Sequence, residues 1–65
     1  MPAYDLDLHR RIYELRELDH EQWTQIARRM EIPEGTLARI RTRAVIEGRA
    51  RKEPNGRVIW LPPND

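Results

Sequence analysis

The sequence contains neither cysteine nor serine. Without cysteine there is no disulfide framework and no thiolate zinc site, and the two commonest side-chain nucleophiles are missing together. Glycine is scarce, at 3 residues, and forms no cluster able to cradle a nucleotide phosphate. His9 and His20 stand eleven positions apart, outside metal-ligand spacing, and read as surface residues. No stretch approaches the roughly 18 apolar residues of a membrane span, and Met1 to Arg10 lacks the basic-then-apolar order of an export signal. These absences point away from an enzyme, a metal or cofactor protein and a membrane protein. The expected location is cytoplasmic.

With 65 residues, 38% hydrophobic and 35% charged, the chain can build one small core and no second one. Its net charge of +1 hides an uneven distribution. Residues 1–21 carry three basic side chains against six acidic ones, whereas residues 22–65 carry nine basic against five acidic. The molecule is polarised, as a footprint for a polyanion would be.

Hydrophobic spacing sets the expected elements. Leu8, Ile12, Leu15 and Leu18 fall on one helical stripe after Asp5, a suitable N-cap, which predicts a first helix over about 7–18. Asp19 and Gln22 resemble a capping box ahead of Trp23, Ile26, Ala27 and Met30, so a second helix is expected over about 20–30, with Trp23 in the core. Pro33 suits the first position of a third helix over about 33–47. On that helix Leu37, Ile40, Ala44 and Val45 form the buried side, and Gly35, Thr36, Arg39, Thr42, Arg43 and Ile46 the opposite one. Arg41 lies beside the buried side and reads as structural. Gly48 is placed to end the helix in a left-handed conformation. A hairpin over about 49–61 comes next, turning at Glu53-Pro54-Asn55-Gly56. Its last strand alternates, with Val58 and Trp60 on one face and Ile59 and Leu61 on the other. One of those faces should cover the core.

Two helices joined by a tight turn, the second one exposing arginines, make a helix-turn-helix arrangement. The segment WTQIARRMEIPEGTLARIRT, from Trp23 to Thr42, resembles that family: Ile26, Met30, Ile32, Leu37 and Ile40 occupy its apolar places and Ala27 its small one. Glu31 departs from the pattern, standing where the family usually has a turn glycine. IPEGTLARIRTRA, from Ile32 to Ala44, is similar to the recognition helix in region 4 of sigma factors, and GRARKEPNGRVIWLP looks like the wing of winged-helix regulators. The resemblance implies a single winged helix-turn-helix domain with the element order ααα-ββ.

It also implies duplex DNA as the partner, with a small nucleoid-associated transcriptional regulator as the expected role. Arg39 and Arg43 are the expected base readers, because arginine is the commonest reader of guanine. Gly35, Thr36 and Thr42 are expected as further contacts of the recognition helix. Arg49, Arg51, Lys52 and Arg57, taken as lying near the tip of the wing, are expected on the phosphate backbone, and Asn55 in the turn is a further expected DNA contact. A second copy of the chain, joined only on DNA, is an expected partner, since one small module reads too few base pairs alone. Two other readings use the same pattern: a winged helix that docks a protein, and a domain of a larger replication, recombination or transcription protein. The start at Met1 favours a complete small protein over the latter.

Overall fold

The computed structural model describes residues 5–63. Helix α1 spans Leu6–Tyr13 and continues as a wider π-helical turn over Glu14–Leu18; α2 spans Trp23–Arg29 and α3 Glu34–Ile46. Strands β1 (Ala50–Lys52) and β2 (Val58–Trp60) then pair antiparallel, with Ala50 opposite Trp60 and Lys52 opposite Val58. The chain is mostly helical with one two-stranded hairpin.

Asp5 caps α1 as expected, its Oδ1 accepting the Leu8 N–H at 3.1 Å. Beyond Tyr13 the ladder widens, and the Asp19 N–H reaches the Glu14 carbonyl five residues back, at 2.9 Å. The extra residue in that turn rotates the side chains around it. Leu18, expected on the buried stripe, is 59% exposed. Glu17 turns toward the hairpin instead, where its Oε2 accepts the Trp60 N–H at 2.9 Å.

His20 ends this helix with φ of +58°, a left-handed conformation that cannot lie inside a following helix. That corrects the expected start of the second helix near His20 and its capping by Asp19. Asp19 is the C-cap of the helix before it, and Gln22 opens α2, its N–H donating to Gln25 Oε1 at 3.4 Å. Pro33 is likewise the N-cap of α3 and not its first helical residue, because its ψ of 144° is extended.

Residues 30–33 join α2 to α3. Glu31 takes φ of +56°, the Ile32 N–H bonds to the Ala27 carbonyl at 2.9 Å, and the Glu31 N–H bonds to that of Arg28 at 3.2 Å. This is the paired ending of a Schellman motif, made here without glycine. The turn expected between the two helices is present, at a backbone cost of about 1–2 kcal/mol for a residue with a Cβ.

The core is formed by Ile12, Leu15, Ile26, Ala27, Leu37, Ala44, Ala50 and Trp60. Trp60 is 2% exposed, so its face of β2 covers the core, with Val58 packed beside it and Ile59 half-buried on the other face. His9 is not a surface residue: it is buried because its ring lies 5.1 Å from that of Trp60 and its Nε2 is 2.9 Å from the Leu61 carbonyl. Trp60 Nε1 donates in turn to the His9 carbonyl at 3.1 Å. Trp23 is half-buried at the edge of the core, packed edge-on against Trp60 at 5.9 Å.

Candidate nucleic-acid interface

Leu37 and Ala44 anchor α3 in the core, and Ile40 and Val45 flank them. Helical geometry then turns Gly35, Thr36, Arg39, Thr42, Arg43 and Ile46 outward, and all six are exposed. Among them Ile46 is a large apolar side chain left 75% exposed. Ala38, Arg39, Thr42, Arg43 and Ile46 line one shallow, open depression along this face. At Gly35 an added Cβ would meet nothing within 4 Å, so the packing of the chain does not itself require a glycine there.

The end of α3 sets the direction of the hairpin. Gly48 takes φ of +78°, while Arg49 N–H bonds to the Ala44 carbonyl at 2.8 Å and Gly48 N–H to that of Val45 at 3.2 Å. This is the second Schellman ending of the fold, here on the expected glycine. At the far end, the Gly56 N–H closes the turn on the Glu53 carbonyl at 2.9 Å and the Glu53 N–H bonds to the Arg57 carbonyl at 2.7 Å. Asn55 Oδ1 accepts the Arg57 N–H at 2.9 Å, so that oxygen serves the turn. Arg51, Lys52 and Arg57 are exposed around it. Arg49 is not near the tip: it precedes β1 at the base of the hairpin, where its carbonyl accepts the Leu61 N–H at 3.1 Å, and it is half-buried and ion-paired with Glu47.

The ion pairs divide the candidate cations into two groups. Arg43 Nε donates to Glu47 Oε2 at 2.8 Å, and Glu47 also holds Arg49. The hydrogen bond from Arg43, with the charges of Arg49 and Arg43 behind it, keeps the Glu47 carboxyl below the usual carboxylate range. Arg51 is 3.9 Å from Glu53, a loose pair. Among the described residues, Arg39, Lys52 and Arg57 have no carboxylate within ion-pairing distance. Of the two expected base readers, only Arg39 is uncommitted. Thr42 is also engaged locally, its hydroxyl donating to the Ala38 carbonyl at 3.1 Å.

A second basic group lies elsewhere. The guanidinium carbons of Arg16 and Arg41 sit 4.8 and 4.9 Å from the Trp23 ring centroid, within cation–π range. Arg41, expected to be structural, does that work on an aromatic face. Burial, and then the like charge of Arg57, lowers the pKa of Arg16. Neither Arg16 nor Glu17 stands out in the sequence. Their roles depend on the π turn, and Leu15 and Leu18 are spaced as in an ordinary helix.

No helix among the described residues is long and apolar enough to cross a membrane. Comparison with protein-family models, curated proteins and solved structures finds no match for this chain. Its own residues must carry the functional reading.

Proposed function

We propose that the chain is a winged helix-turn-helix domain that binds duplex DNA, with α3 as the recognition helix in the major groove and the β1–β2 hairpin as a basic wing. The observation that carries this reading is the outward face of α3, where Arg39 is exposed and has no carboxylate partner among the described residues, while Arg43 one turn on is held by Glu47. A guanidinium left free in water on a helix face is suited to the O6 and N7 acceptors of guanine. Lys52 and Arg57 add uncommitted charge on the hairpin, suited to phosphates. Gly35 and Thr36 open the same face near the start of α3, where the absence of a side chain at Gly35 leaves room for a phosphate or base edge. The chemistry is binding and not catalysis, and a small transcriptional regulator is the role that fits.

A symmetric pair of copies would supply the specificity one module lacks, on half-sites about 10–10.5 base pairs apart. Ile59 and Leu61, half-buried in the single chain, offer only a small contact in solution, so pairing is proposed on DNA. One observation favours docking of a protein: Ile46, 75% exposed on the same face.

A gel-shift titration of the full chain with random duplex DNA at two salt concentrations separates the two. Duplex binding that weakens steeply with salt is expected, and replacing Arg51 and Lys52 together by Ala should lower the slope of log K against log salt by roughly one for each phosphate no longer neutralised. No retardation at low salt would sink the DNA reading and leave the protein-docking one.

A further inference from the structure

We infer that the outward face of α3 reads thymine through its methyl group, with Ile46 as the side chain that senses it, a few base pairs along the groove from a guanine held by Arg39. This rests on the duplex-binding reading above and goes beyond it by naming what the face selects.

The inference comes from what the face has left to offer once its internal bonds are counted. Arg43 is committed to Glu47 at 2.8 Å, and the Thr42 hydroxyl to the Ala38 carbonyl at 3.1 Å. Along the depression lined by Ala38, Arg39, Thr42, Arg43 and Ile46, one uncommitted guanidinium therefore remains in a setting of carbon: the Ala38 methyl, the Thr42 methyl, the stem of Arg43 and the branched side chain of Ile46. Ile46 has no polar group with which to read a base edge. In the major groove thymine is the base whose edge carries a methyl group, and apolar contact is how that group is recognised. Covering Ile46, 75% exposed in the free chain, against such a methyl removes apolar surface from water on both sides. An apolar protein partner seated on the same depression would also cover Arg39, two turns away on the same face, and leave its guanidinium buried without a carboxylate. A groove edge answers both groups at once.

The test uses the full chain. Sites are first selected from a random duplex pool, and each thymine of the recovered site is then replaced by deoxyuridine, which deletes one methyl and keeps every donor and acceptor. At one or two positions the parent should lose about three- to fivefold in affinity, the size expected for one buried methyl group. Ile46→Ala should bind the thymine duplex about as weakly as the parent binds the deoxyuridine duplex, and should itself be indifferent to the replacement. Because Ile46 lies outside the core, the variant keeps its fold, checked by an unchanged melting curve. Indifference of the parent to deoxyuridine at every position overturns the inference and leaves duplex binding standing. A selection that enriches nothing, with no gel shift at low salt, overturns duplex binding and this inference with it.

Discussion

The seam where the first helix meets the hairpin and the outward face of α3 treat polar groups in opposite ways. At the seam, Trp60 donates its backbone N–H to Glu17 and its ring N–H to the His9 carbonyl, and His9 Nε2 meets the Leu61 carbonyl. These bonds join residues far apart in sequence and close the N-terminal helix onto the last strand. On the α3 face the engaged groups bond within their own helix or its C-cap, and Arg39 bonds to nothing described. Burial explains the difference. A polar group withdrawn from water must be satisfied inside the chain, whereas one on an open face can wait for a ligand.

The sharpest way to break the seam is Trp60→Ala. Trp60 is 2% exposed and touches both His9 and Trp23, so truncation should cost about 3–5 kcal/mol, most of the stability a 65-residue domain has. Urea denaturation should find the variant largely unfolded at room temperature. A midpoint close to the parent's would mean that β2 does not close the core.

Glu17→Ala tests the polar half of the same seam. Removing a charged acceptor from a partly buried N–H should cost about 1.5–3 kcal/mol, and Glu17→Gln, which keeps an oxygen, should recover part of it. Equal melting temperatures for all three proteins would show that the N–H finds water instead.

Arg39→Ala probes the other region. It should weaken binding to a selected DNA site by about 1–3 kcal/mol with thermal stability nearly unchanged, whereas Arg43→Ala, already paired with Glu47, should weaken it less. Quantitative gel shifts with both variants decide this. If Arg43 proved the more important, the division into committed and free cations would be wrong.

The contrast also shows which parts of the molecule its sequence makes legible. The α3 face is readable from 3.6-residue spacing alone, since Leu37 and Ala44 fix one side and geometry supplies the other. Gly48, Pro54 and Gly56 mark their turns because few residues fit those backbone angles. The seam is hidden because it depends on one extra residue in a single helical turn, which exchanges Leu18 for Glu17 and leaves no trace in the spacing of Leu8, Ile12 and Leu15. His9 is hidden for a related reason: its partners, Trp60 and Leu61, lie some fifty residues away. Pairings of charge, such as Arg43 with Glu47, decide which candidate site residues are free, and side-chain geometry settles them.

The smallest expected effect belongs to Glu31, between the two regions, where α2 turns into α3. Its φ of +56° places a Cβ in a conformation that disfavours L residues by about 1–2 kcal/mol, and Gly48 makes the same kind of ending at +78° without that cost. Glu31 has no ion pair among the described residues that substitution would forfeit. Glu31→Gly relieves the strain but gives the unfolded chain more freedom, so the net gain should be about 0.5–1 kcal/mol. For a domain of this size that is a rise of roughly 2–8 °C in Tm. Gly48→Ala should move the melting temperature the other way, by placing a Cβ where the backbone is left-handed. Scanning calorimetry on both variants reads the two shifts against the parent. Shifts of the same sign would mean that the two Schellman endings are not equivalent, and that Glu31 is held there by something other than backbone geometry.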